Sequence, residues 1–328
     1  MIQVFTLYDN KITTNITPLC KSISLSGSIS QVARKLDVSL AYSIFDRNQE
    51  HTQVGPGTKV WVTLNGKEIF RGIVWDRELN SNEELSFTAY DYLIYSTKSK
   101  VTYNFKNISA DDATRKVCSE LGVAVGPLAS TCRFNRIVQA KTGYETIMEM
   151  YTQASKITGK KYIPIMVGTK LSIIEKGSIV ADFSLISQLN SNTSNISSMS
   201  YKDTLDSMIN KVKIYDDKNN LIGQIENSSW IKFFGVLQEN YTKEEDKNQN
   251  TVAKNMLNGI NQEVSIEAIG NWNCRTGYAV KTKIFYIDVL QSAVMYIDGD
   301  THTWDVGTGK YTMSLNLSFK NIMDTKGD

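Results

Sequence analysis

The chain has 328 residues, 36 basic and 34 acidic, for a net charge of +2, and 41% of its residues are hydrophobic. That length suggests two or three domains with a packed core, and the balanced charge lacks the basic excess of a dedicated nucleic-acid binder. No apolar run approaches the roughly 18 residues that span a bilayer, and the first residues do not pair a basic stretch with an apolar one, so neither a membrane segment nor a signal peptide is expected. Cys20, Cys118, Cys132 and Cys274 are far apart and form no CxxC pair, which points to reduced, buried thiols and away from a zinc site.

Residues 1–99 read as β. From Lys35 to Ile44, Leu36, Val38 and Leu40 keep step. Val60, Val62 and Leu64 alternate with their neighbours, and Asn65–Gly66 then accepts the positive φ angles of a hairpin turn. The returning strand places Ile69, Arg71, Ile73 and Trp75 on one face and Phe70 and Val74 on the other. After a turn at Asn80, Leu85, Phe87 and Ala89 alternate again.

Residues 100–180 change character. Ser109 can cap a helix whose Ala113, Val117 and Leu121 recur on one face before Gly122 stops it. Thr142 and Glu145 form a capping box for a second helix, striped by Tyr144, Ile147, Met148, Tyr151 and Ala154 and ended by Gly159. A hairpin turning at Gly168–Thr169 follows. The segment is expected to be a small α+β domain.

Residues 181–328 return to β. The Asn- and Ser-rich stretch from Gln188 to Ser200 reads as a linker. Lys211–Tyr215 and residues 221–225 flank a hairpin turn. Thr242 and Glu245 form another capping box, which predicts an inserted helix at about 242–260. Asp298–Gly299 reads as a tight turn. Tyr311, Met313, Leu315, Leu317 and Phe319 then alternate with polar residues, which predicts a strand with one buried face.

Chemistry is hard to find. The two histidines, His51 and His302, have no nucleophile or carboxylate at a known motif spacing. Gly307-Thr-Gly-Lys310 lacks the first glycine of a phosphate loop and precedes a strand, so a hairpin is expected there. The acidic run Glu244, Glu245 and Asp246 suits the first turn of a helix. Trp230, Phe233 and Phe234 make an apolar cluster with two readings, a local core plug or a contact with a neighbouring subunit. Tyr311 and Met313 join them as candidate interface residues. No catalytic, cofactor-binding or metal-binding residue is assigned.

One resemblance goes further. Asn210-Lys-Val-Lys-Ile-Tyr215, Phe234-Gly-Val-Leu-Gln-Glu239, Tyr286-Ile-Asp, Thr301-His-Thr-Trp304 and Met313-Ser-Leu-Asn-Leu, with Asp91-Tyr and Ser109-Ala-Asp-Asp112 earlier, resemble the baseplate hub proteins of contractile phage tails, in the branch of PBSX-like prophages and R-type bacteriocins. The resemblance covers the whole chain. It implies a β-rich α+β fold with two tube-like antiparallel β-barrel domains, in residues 1–99 and 181–328, around the small domain at 100–180. It also implies a homotrimer with a tail tube protein, a spike protein and other baseplate proteins as partners. The role would be structural, without cofactor or enzymatic activity, in a tail or bacteriocin particle assembled in the bacterial cytoplasm. The alternatives weighed against it are a tail-associated peptidoglycan hydrolase and, from the aromatic residues alone, a carbohydrate-binding adhesin at the tail tip.

Overall fold

The computed structural model describes residues 1–46, 48, 52–189, 193–244 and 248–327. His51, Glu245 and Asp246 therefore lie outside the described residues.

The chain opens with strands β1 (Ile2–Tyr8), β2 (Ile12–Asn15), β3 (Cys20–Ser28), β4 (Lys35–Ala41), β5 (Lys59–Leu64), β6 (Lys67–Asn80) and β7 (Glu84–Asp91). A mixed region follows: α1 (Ile94–Lys98), β8 (Lys100–Ser109), α2 (Ala110–Glu120), β9 (Ala124–Leu128), β10 (Arg133–Thr142), α3 (Gly143–Thr158), β11 (Tyr162–Val167) and β12 (Lys170–Glu175). The remainder comprises β13 (Ser178–Ser187), β14 (Ile196–Thr204), β15 (Lys211–Tyr215), β16 (Leu221–Glu226), α4 (Ser228–Phe234), β17 (Gln238–Thr242), α5 (Gln249–Met256), β18 (Asn261–Ile269), β19 (Tyr278–Ile284), β20 (Ala293–Asp305) and β21 (Tyr311–Ser318).

The fold is β-rich α+β, as expected, but the two closed barrels are not present among the described residues. One open sheet runs β14-β18-β21-β20-β3-β4-β7-β6-β5-β1-β2, with β19 added to β20 and β13 to β19. The physical reason is β20, which is long enough to serve two partners on one edge. Its first residues, Ala293 to Tyr296, pair with β19, and its second half, Gly299 to Asp305, pairs with β3. Against β21 its register shifts between Ile297 and Gly299. The dipeptide Asp298–Gly299, read from sequence as a turn, is thus a bulge inside a continuous strand, and such a bulge re-aims the strand between partners.

Alternation fills the core under β3 to β7. Leu36, Val38 and Leu40 of β4 meet Leu85, Phe87 and Ala89 of β7, with Ile23, Leu25, Phe70, Val74 and the distant Trp304. Asn65 and Gly66 have φ of 51° and 79°, the left-handed pair a type I′ turn requires. Gly72 sits between the two buried side chains of β6, and a Cβ there would collide with the Tyr90 carbonyl. A second core forms between α2 and α3, where Ala113, Val117, Ile147, Met150 and Tyr151 meet Leu171 and Ile173. Ser109 accepts from the Asp112 amide at 3.3 Å, and Thr142 and Glu145 close the expected capping box.

The chain divides into two compact units, Met1–Met199 with Ile266–Asp328, and Ser200–Ser265. These divisions fall elsewhere than the three segments drawn from sequence. The chain leaves the larger unit within β14 and returns within β18. The smaller unit holds a sheet in the order β16-β15-β17, with a core of Val212, Ile214, Tyr241 and Ala253. Its helix α5 does not start at Thr242. That residue ends β17, paired in parallel with Tyr215, and Asn248 caps α5 by accepting from Asn250 and Thr251, each at 3.1 Å. Residues 196–200, read as linker, belong to β14.

Candidate functional site

The most concentrated polar chemistry lies where β3 and β4 meet β20 and β21, inside the larger unit. β20 alternates inward, so Asp300, His302 and Trp304 all point into the junction. Asp300 accepts from the Thr276 amide at 2.7 Å and from its hydroxyl at 2.7 Å. The Arg34 guanidinium, from the start of β4, completes the shell as an ion pair. Arg34 also lies over the Trp272 ring, 5.0 Å from its centroid, and Arg275 lies 5.1 Å from the same ring.

His302 is held at both nitrogens. Its Nε2 is 3.0 Å from the Cys274 carbonyl, which can only accept, so that nitrogen carries the proton. Its Nδ1 then accepts from the Tyr311 hydroxyl at 2.8 Å. Burial pushes the imidazole down to about 4, against the pull of Asp300, so it is neutral at pH 7. Tyr311 in turn stacks on Trp304 at 4.4 Å. Asp91, at the end of β7, accepts from the Arg34 and Leu93 amides and is pushed up to about 7 by burial.

The acid and imidazole of this cluster are enclosed, while Arg34, Asp91, Arg275 and Thr276 line a cavity of about 70 Å3 beside them. Asp300 is 3% exposed, and His302 and Cys274 are fully buried. Burial also raises the Cys274 thiol to about 12 and Cys20 to about 12, far from thiolate character at pH 7. Among the described residues no group of His, Cys, Asp and Glu is arranged to hold a metal ion. The cluster pins the N-terminal strands to the C-terminal ones through charge, aromatic stacking and hydrogen bonds in one place.

Sequence reasoning missed this network. Arg34 and Asp300 are 266 positions apart, and no local pattern links them. The only signal was Thr301-His-Thr-Trp304, noted as a motif without a role.

The residues singled out from sequence separate. Met313 is 1% exposed and belongs to the core of β21. Tyr311 is half-buried and borders a groove of about 680 Å3 with Ile2, Pro18, Leu64, Trp304 and Val306. The other three lie on α4 in the smaller unit, a helix not foreseen from sequence. Asn227 caps it by accepting from the Trp230 amide at 3.1 Å. Trp230 is half-buried against Gly259, where a Cβ would come within 3.1 Å of the indole. Phe233 is 80% exposed and Phe234 36%, with Val236 also exposed beside them. Trp230 is thus partly covered, and the phenylalanines form an open apolar surface.

Residues 23–318 match the family model described as YQBQ-like. The chain belongs to the YQBQ-like family. It is 27% identical over 338 residues to the phage-like element PBSX protein XkdQ of Bacillus subtilis (strain 168), covering 98% of each chain. In fold, this YQBQ-like chain is similar to the 43 kDa tail protein of prophage MuSo2 from Shewanella oneidensis, with a TM-score of 0.72 at 12% identity over 97% of this chain and 98% of that one. It is also similar to the E. coli c3393 protein, described as a component of the type VI secretion system with structural similarity to the T4 tail proteins gp27 and gp5. There the TM-score is 0.51 at 8% identity, over 94% of this chain and 76% of that one. These findings bear out the likeness read from sequence: the YQBQ-like chain is of the prophage tail and baseplate kind.

Proposed function

We propose that this YQBQ-like chain is the hub of a contractile-tail baseplate, a homotrimer that joins the tail tube protein to the spike protein within a phage or bacteriocin particle. The observation that carries the reading is the near full-length likeness in fold to a prophage tail protein. The likeness in fold to a protein described as structurally similar to the T4 tail proteins gp27 and gp5 supports the same reading. The role is structural. The one described histidine is buried and neutral, and three of the four thiols are buried. An adaptor between rigid partners needs a body that does not deform, and the Arg34–Asp300 junction ties the two ends of the chain into one sheet. The exposed phenylalanines of α4 are the surface offered to another baseplate subunit, since exposed contiguous apolar groups mark contact sites.

Light scattering on the purified chain tests the reading. A species near three times 36.9 kDa supports the trimeric hub. Particles assembled with tube and spike proteins should show the chain as a three-fold ring between them, and its location elsewhere in the particle would overturn the proposal.

A further inference from the structure

Beyond β21 the described residues form no regular element, yet they are tied down along their length. Asn321 donates to the Lys176 carbonyl at 3.0 Å. The buried Lys176 amine donates to the Ile322 carbonyl at 2.8 Å and pairs with Asp298 at 2.5 Å. Met323 packs against the core of α2 and α3. The Tyr144 hydroxyl donates to Asp324 at 2.8 Å, the Lys326 amide to the Thr152 hydroxyl at 3.1 Å, and Arg136 to the Gly327 carbonyl at 2.7 Å. Gly327 has a φ of 72°, and a Cβ there would collide with Glu149.

These anchors share a face. Tyr144, Met148 and Thr152 are spaced by four along α3 and stack one above another. Ile147, Met150, Tyr151 and Ala154 face the core instead. Helix α3 is therefore buried on two sides, by the core on one and by residues 321–327 on the other. We propose that this second face of α3 is a binding groove for an extended peptide, occupied in cis by residues 321–327 as a displaceable strap. The groove selects an apolar side chain followed directly by a carboxylate, as in Met323–Asp324. It reads the flanking backbone through Lys176 and Arg136. No strand ladder holds residues 321–327, only separate side-chain bonds and the packing of Met323, so the strap opens at lower free energy than the sheet beside it. The tail of a second copy carries the same chemistry and is the occupant that can replace it in trans.

Hydrogen–deuterium exchange on the intact chain and on a chain shortened after Lys320 tests this. In the shortened chain α3 should exchange about tenfold faster or more, while β3 and β20 stay slow. A synthetic peptide of residues 319–328 should restore α3 protection saturably, and the same peptide with Asp324→Lys should not. Unchanged protection of α3, equal loss in β3 and β20, or failure of the peptide to restore it would each overturn the proposal. Should the shortened chain fail to fold, the full chain carrying Tyr144→Phe and Arg136→Ala decides. Its strap amides should then exchange faster while β21 does not, and an unchanged strap counts against the idea.

Discussion

At the scale of single residues, the junction around Asp300 concentrates the largest effects. Asp300→Ala leaves the Arg34 guanidinium, largely enclosed, without its counter-charge. Removing one partner of a buried ion pair costs about 3–5 kcal/mol, so chemical denaturation should show a loss of that order. Acid titration has two opposing contributions. His302 falls from 6.5 to about 4 on folding, so its share of stability is present above pH 6.5 and is lost as pH falls toward 4. Asp91 rises from 3.8 to about 7, so its share is present below pH 3.8 and is lost as pH rises toward 7. Between pH 4 and 6.5 the two slopes cancel, and the parent protein should show little pH dependence from this site. Asp91→Asn removes one slope and should leave stability that rises with pH across that window. Urea midpoints measured at pH 4.5 and 6.5 for parent and variant check it, and a flat Asp91→Asn profile would refute the pairing.

At the scale of elements, α5 tests which cap the molecule uses. Asn248→Ala should cost about 1 kcal/mol by loss of the two amide bonds to its side chain. Thr242→Ala should cost much less, because Thr242 is exposed at the end of a strand. Thermal melts of the two variants, reversed in order, would restore the sequence-based reading. The same Thr-x-x-Glu pattern succeeded at Thr142 and failed at Thr242, because the second is claimed by parallel pairing of β17 with β15, which local sequence does not encode. Strands with one buried face, such as β4, β7 and β21, were legible through their alternation. The strand β14 was not, because it ends the described sheet and none of its side chains is fully buried. Helix α4 is too short to display a period. The bulge at Asp298–Gly299 imitated a turn because both favour the same small and polar residues. The candidate site was less legible than the fold: local pattern singles out Trp230, Phe233 and Phe234 only as apolar residues, while Arg34, Thr276 and Asp300 meet only through long-range pairing.

At the scale of the molecule, the proposed hub role predicts a separation between folding and assembly. Phe233 is open to solvent, so Phe233→Asp should change stability by no more than about 0.5 kcal/mol. The same variant should be depleted from assembled particles relative to the parent, measured by quantitative mass spectrometry of purified tails. Normal incorporation would remove α4 from the proposed contact surface. A parallel loss of stability would instead assign Phe233 to the fold.

The ladder between β3 and β20 also sets a timetable. During synthesis β3 emerges early, and its edge partner arrives only after more than two hundred further residues have left the ribosome. Until then one edge of the N-terminal sheet carries unpaired amides and carbonyls, a template for mispairing with other chains. A nascent chain halted before Ala293 should therefore be aggregation-prone and bind chaperones, whereas one released after Ser318 should not. The last strands to be made decide when the first ones become safe.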